Sequence, residues 1–193
     1  MERRIAVFAS GSGSNAENII RYFSGSKDIK VSLVVSNKRD AYVIERARLL
    51  NVPVLIITKE EFSLPENVLG SLREYKIDFI VLAGFLLHVP DYLIQAYPGS
   101  IVNIHPALLP RFGGKGMYGD YVHKAVVEAG EKESGITVHY VNEHYDAGAI
   151  IRQERCVIAS DDTYEDVARK VHELEYRFYP QIIEEVIIRS GNL

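Results

Sequence analysis

The sequence predicts an α/β fold: a mostly parallel sheet flanked by helices on both faces, with mixed or antiparallel late strands and a long C-terminal helix. Three observations lead there. Short apolar runs alternate with helix-like segments through the first half of the chain. Those runs are apolar without interruption, which marks strands covered on both faces. After Pro106 the pattern changes, and the chain closes on one long stretch with an apolar stripe.

The elements follow in order. Ile5 to Ala9 is a continuous apolar run bounded by turn residues, and it reads as the first strand. Val31 to Val35, Val54 to Ile57, Phe79 to Leu82 and Ile101 to Ile104 read the same way. Helices are expected between them at Ala16 to Phe23, Tyr42 to Leu50, Glu66 to Tyr75 and Asp91 to Tyr97. In the second of these, Val43, Ala47 and Leu50 share a face, while Glu45, Arg46 and Arg48 lie elsewhere. Such crossovers are right-handed as a rule. Leu108 to Gly119 is rich in Gly and Pro and reads as a loop, followed by a helix over Asp120 to Ala129. Ile136 to Val141 alternates, Ile150 to Ile158 forms a second late strand, and a polar loop over Asn142 to Gly148 joins them. Thr163 opens the long helix, which is expected to end close to Leu193. Asp166, three residues on, resembles the partner in a capping box, and Val167, Val171, Leu174 and Phe178 form the stripe.

Composition narrows the function classes. The chain has 193 residues, 47% of them hydrophobic and 25% charged, which is an ordinary globular balance. A chain of this length buries about 70% of its unfolded surface and needs no covalent staple. One cysteine, Cys156, excludes an internal disulfide and any zinc site built on paired cysteines, and a small buried hydrophobe is its plain role. Lys+Arg 22 against Asp+Glu 26 gives a net charge of −4, so no global basic field exists for nucleic acid or an anionic membrane. No apolar run reaches the roughly 18 residues of a membrane helix, and nothing resembles a targeting segment. A cytoplasmic setting and a single domain over 1–193 are expected. Its halves are 1–106, nucleotide-binding-like, and 107–193, which carries the loop, the late strands and the last helix.

Chemistry gathers at three places. Ser10-Gly11-Ser12-Gly13-Ser14-Asn15-Ala16 follows the first strand and opens a helix. Its glycines permit a tight turn, and the free N–H groups of the helix start suit an anion. The spacing is Rossmann-like, fitting G-x-G-x-x-A. The second strand, however, ends in Ser36-Asn37-Lys38-Arg39, with no acid for a ribose diol, so phosphate fits better than a nicotinamide dinucleotide. In Ile101 to Pro106, Asn103 and His105 lie two apart and share a strand face at the sheet's C-terminal end, a pair suited to a developing oxyanion. Asp146, in Tyr145-Asp146-Ala147-Gly148, is alone an ordinary turn residue. Beside His105 it would favour the imidazolium and raise that histidine's pKa. His139, with Thr137 on its face, reads as packed. Glu175 flanks the last helix's stripe. His88, His123, His144 and His172 show no metal-ligand spacing, so no metal site is expected.

Taken in order, the pieces resemble one family over nearly the whole chain, the folate-dependent phosphoribosylglycinamide (GAR) formyltransferases. The matching segments are Ser10 to Asn15, Ser36-Asn37-Lys38, Glu45-Arg46-Ala47, Val81 to Phe85, Asn103 to Pro110, Gly135 to His139, Asp146-Ala147-Gly148 and Tyr179-Pro180. The Asn-Ile-His-Pro segment followed by Leu-Leu-Pro is the most specific of them. The resemblance implies direct transfer of formyl from 10-formyltetrahydrofolate, a cosubstrate, to the amine of GAR in purine synthesis. It implies that Asn103, His105 and Asp146 are catalytic and that Gly13, Ser14, Asn15, Pro106 and Glu175 bind GAR. It also implies a folate site at Leu82, Phe85, Leu86, Leu87, His88, Val89, Asn103, Asn142, Glu143 and Asp146, supported by His139 and Thr137. The partners implied are these small molecules, without nucleic acid or membrane, for a monomer or homodimer.

Two departures stand out. Leu86-Leu87-His88 follows Phe85 where many members carry Arg, and Phe62-Ser63-Leu64-Pro65 lacks an Arg that some members aim at the GAR phosphate, leaving Lys115 as a substitute. Phe112 to Gly119 reads as a mobile flap. Rivals are the formyltetrahydrofolate hydrolases and the methionyl-tRNA formyltransferase core, whose extra domains find no room in this length, an NADP-dependent reductase, and a module that only senses a nucleotide or folate.

Overall fold

The computed structural model describes residues 2–190. The expected close of the last helix near Leu193 falls outside the described residues. The strands are β1 (Arg3–Phe8), β2 (Ile29–Ser36), β3 (Val54–Ile56), β4 (Phe79–Leu82), β5 (Ile101–His105), β6 (Glu133–Tyr140) and β7 (Ile150–Val157). The helices are α1 (Ser14–Phe23), α2 (Val43–Leu49), α3 (Lys59–Phe62), α4 (Pro65–Glu74), α5 (Asp91–Ala96), α6 (Asp120–Glu128) and α7 (Tyr164–Ser190). Helix α3 is absent from the sequence reading. It is held by a capping box rather than by periodicity: the Glu61 N–H donates to Thr58 Oγ1 at 3.2 Å, and the Thr58 N–H donates to Glu61 Oε2 at 2.7 Å.

The sheet runs β3-β2-β1-β4-β5-β6-β7. The first five strands are parallel, and β6 and β7 pair antiparallel, the mixed extension expected from the sequence. Alternate residues of β1 enter two separate cores. Ile5 and Val7 join the core formed with α1, α2, α6 and α7, while Ala6 and Phe8 join the one formed with α3, α4 and α5. That is why the run shows no polar alternation: both faces are covered.

Helix α7 carries Pro180 in its interior. A proline removes the hydrogen bond to the carbonyl four residues back. That carbonyl, of Tyr176, accepts instead from Asn18 Nδ2 at 2.8 Å, which ties α1 to α7. The expected capping pair at its start is present, with the Thr163 N–H on Asp166 Oδ2 at 3.0 Å and the Asp166 N–H on Thr163 Oγ1 at 3.2 Å. The expected stripe is only half buried. Val167 and Val171 are in the core, Leu174 and Phe178 pack at its margin, and Tyr179, Ile182, Ile183, Val186 and Ile187 complete the buried face.

This strand order reverses direction between β1 and β4. In open α/β sheets ligands bind at such a reversal, outside the carboxyl ends of the strands. The loops after β1, β4 and β5 all open there.

Candidate active site

The loop from Ser10 to Gly13 leads into α1 through Gly13, whose φ of 73° is left-handed. A Cβ at Gly13 would stand 2.4 Å from Val43 Cβ, so α2 packs directly on this backbone. The first intrahelical bond runs from the Glu17 N–H to the Gly13 carbonyl at 2.8 Å. The N–H groups of Ser14, Asn15 and Ala16 are therefore not used within the helix, and they point where an anion gains most. Ser10 fastens the neighbouring loops, with Oγ donating to Asn37 Oδ1 at 2.5 Å and accepting from the Leu86 N–H at 2.8 Å.

β5 presents Asn103 and His105 on one face, as their spacing requires, while Val102 and Ile104 enter the core. The fold then brings Asp146 to them from the loop between β6 and β7. His105 Nδ1 lies 3.5 Å from Asp146 Oδ2. His139, paired with Asn103 across β5 and β6, has Nε2 3.2 Å from Asn103 Nδ2 and 3.6 Å from Asp146 Oδ1. His139 Nδ1 sits 2.8 Å from the Tyr140 carbonyl. In the neutral ring Nδ1 is thus the donor, and Nε2 accepts from the Asn103 amide. His139, which alone reads as packing, orients a site residue.

The Gly-rich segment clasps the same cluster. His105 Nε2 donates to the Phe112 carbonyl at 2.8 Å, and the Gly114 N–H donates to Asp146 Oδ2 at 2.9 Å. Phe112 and Asp146 both adopt positive φ, of 57° and 52°, to aim these groups.

The electrostatics correct one expectation. Burial lowers the His105 pKa from its ordinary 6.5, and it outweighs the raising effects of Asp146 and the Phe112 carbonyl. Asp146 does push the imidazole up, but from a depressed baseline. Burial pushes the Asp146 carboxyl up in turn. The His139 and His105 rings and the Gly114 N–H more than offset that, leaving it below the usual 3.8.

Loop, strand end and clasp surround one cleft of about 820 Å³. Gly13, Ser14, Asn15, Pro106 and Glu175 line it, as do Leu82, Phe85 through Val89, Asn142 and Asp146. Glu143 does not line it; its carbonyl meets His88 Nε2 at 3.1 Å, which makes it a backbone support. Thr137 also stays out. It is fully buried, donates to the Ala107 carbonyl at 2.7 Å and accepts from the Leu109 N–H at 3.0 Å, fixing the segment after His105. Lys38 joins Lys115 as a lining cation, and all six histidines of the chain face this cleft. His123 and His172 were not among the residues expected there, whereas His144 falls within the expected stretch from Asn142 to Asp146. The one signal for His172 is its place one turn before Glu175 on a helix, and its Nδ1 indeed lies 2.9 Å from Glu175 Oε2. Among the described residues no cluster of three or more His, Cys, Asp or Glu is arranged to hold a metal.

Comparison with known proteins bears on this arrangement. A family model described as formyl transferase matches residues 3–183. The chain is 44% identical to the chloroplastic phosphoribosylglycinamide formyltransferase of Arabidopsis thaliana, over 94% of this chain and 64% of that protein. It is 38% identical to the phosphoribosylglycinamide formyltransferase of Bacillus subtilis, over 96% of this chain and 95% of that protein. The chain thus spans less than two thirds of the plant relative and nearly all of the bacterial one. The crystal structure of the phosphoribosylglycinamide formyltransferase of Bacillus halodurans superposes with a TM-score of 0.88 at 38% identity, over 99% of this chain and 98% of that one.

Proposed function

The chain belongs to the formyl transferase family, and from that premise we propose that it transfers the formyl group of 10-formyltetrahydrofolate to the amine of GAR. One observation carries the reading. Asn103, His105 and Asp146 converge between a helix start that offers free N–H groups and a wall of apolar residues. The first suits a phosphate, the second a flat pterin, and the cluster between them suits acyl transfer.

The residues divide the work as follows. The N–H groups at Ser14, Asn15 and Ala16 hold the phosphate, aided by Lys38 or Lys115 in place of the family's arginine. The walls at Leu82 and Phe85 through Val89 take the pterin, with backbone groups of Asn142 reading its edge and Glu143 supporting His88. Attack of the amine on the formyl carbon creates a tetrahedral oxyanion. Asn103 holds His139 Nε2 with one amide N–H and donates to the oxyanion with the other, once that N–H leaves its long contact with Asp146 Oδ1. His105 donates as well, once its Nε2–H leaves the Phe112 carbonyl. Asp146 makes the imidazolium accessible in a site whose burial opposes it, and takes up the proton shed by the amine, directly or through a water. Collapse of the intermediate then breaks the bond between the formyl carbon and N10 of the folate, and N10 leaves as tetrahydrofolate carrying that proton. The phosphate loop comes from one half of the chain and Asp146 from the other, so the unit of function is the whole of 1–193 rather than either half. We place it in the cytoplasm, although the plant relatives are named chloroplastic.

Purified protein supplied with 10-formyltetrahydrofolate, with and without GAR, tests the reading. GAR-dependent release of tetrahydrofolate is expected. Release to water alone would mark a hydrolase, and binding of both ligands without turnover a sensor module.

A further inference from the structure

Two polar atoms in this cleft are buried and have no hydrogen-bond partner among the described residues, Asn15 Oδ1 and His123 Nδ1. An unpaired buried polar atom costs about 1–3 kcal/mol, so one in a ligand cleft points to a partner supplied from outside. Both line the cleft, as Glu175 does, and Asn15 touches Glu175 directly. Asn15 Nδ2 and His172 Nδ1 both donate to Glu175 Oε2, at 2.9 Å each, which fixes the Asn15 amide with its oxygen toward the unpaired side. His123, on α6, is 6% exposed. The charges of Glu175, Asp120, His105 and His172 all act on it, as their shared place around this cleft allows.

The chemistry of this stretch differs from that of the helix start beside it. At the helix start only donors are offered, which suits a phosphate. Here an amide oxygen, a carboxylate and a neutral imidazole offer acceptors, with one ring N–H as donor. Phosphate fits that set poorly. Vicinal hydroxyls fit it well, since each can donate and accept at once.

We propose that His123 is a further specificity-determining residue, which with Asn15 Oδ1 holds the sugar hydroxyls of the acceptor between its phosphate and its amine. A half-turn of the imidazole about χ2 presents either ring edge to the ligand. The inference rests on the acceptor assigned above, so its test is built to fail separately.

His123→Phe keeps the ring shape and removes both nitrogens, and His123→Gln returns one donor and one acceptor. With the wild-type enzyme shown active on GAR, His123→Phe is expected to raise the KM for GAR about tenfold. The turnover number and the KM for the folate should move less than twofold. His123→Gln should recover part of the loss, and the penalty of His123→Phe should shrink on a 2′-deoxy or 3′-deoxy acceptor. Failure of the wild type to use GAR overturns the functional reading. An active wild type with an unchanged KM for GAR in His123→Phe overturns the role of His123. A fall in turnover with both KM values raised, accompanied by lost thermal stability, would mark His123 as merely structural and overturn it too.

Discussion

Asp146 does nothing by its own chemistry that its neighbours do not set. It sits at φ 52° at a loop position, and its two oxygens meet different partners, His105 and the Gly114 N–H on one side, His139 and Asn103 on the other. Asp146→Asn keeps the shape and removes the charge that offsets the burial of His105, so the imidazole pKa should fall further. Turnover is expected to drop by about two to four orders of magnitude, with GAR binding little changed, as steady-state kinetics and calorimetric titration would measure. Near-normal turnover would refute the role. At this scale the sequence was informative about Asn103 and His105, because a strand period of two puts them on one face whatever the rest of the chain does. It was silent about His123, and gave His139 a supporting role only through the family resemblance, because a histidine facing a cleft and one facing a core look alike in a sequence.

At the scale of elements, the strand-turn-helix unit β1–α1 carries the tightest constraint. Gly13 combines a left-handed backbone with a Cβ position already occupied by Val43 of α2. Gly13→Ala should destabilise the fold by roughly 2–5 kcal/mol, adding backbone strain to overpacking, and should abolish phosphate retention. Urea denaturation and GAR titration check the two effects. The Gly-Ser motif was legible because its requirement is local: the chain must turn within a few residues between a strand and a helix. The segment from Phe112 to Gly119, read as a flap, takes its meaning from contacts invisible in its own residues. Its backbone, not its side chains, grips His105 and Asp146 through the Phe112 carbonyl and the Gly114 N–H. Backbone groups are the same in every residue type, so composition gives no hint of them. Helix α3 escaped notice for a related reason, since four residues are too few to show a period.

For the molecule as a whole, burying uncharged histidines couples the site to stability. His105 and His123 both titrate below their ordinary 6.5 in the folded protein because burial penalises their charged forms. The unfolded chain therefore binds more protons in this range, and stability rises with pH. This contribution is fully present above about pH 6.5 and is lost as pH falls through the folded values. Denaturation midpoints should fall between pH 7 and pH 5, and more shallowly in His123→Phe; an unchanged slope in that variant would contradict the assignment. The net charge of −4 bears on the proposed phosphate site, since an acidic molecule would have to hold that anion by local groups rather than by a field. The sequence by itself determined the order of the strands and of the helices other than α3, the parallel core covered on both faces, the Gly-Ser turn into α1 and the Asn103–His105 pair. Each follows from near-neighbour rules of periodicity, turn chemistry and side-chain alternation. Only the tertiary structure decided that Asp146 meets His105 across a separation of 41 positions (146 − 105), and that α7 brings Glu175 and His172 to Asn15. It also set the sign of the His105 shift, which a carboxylate alone would have made positive. Those outcomes depend on distances and on how much water the fold removes, and neither is a property of any short stretch of chain.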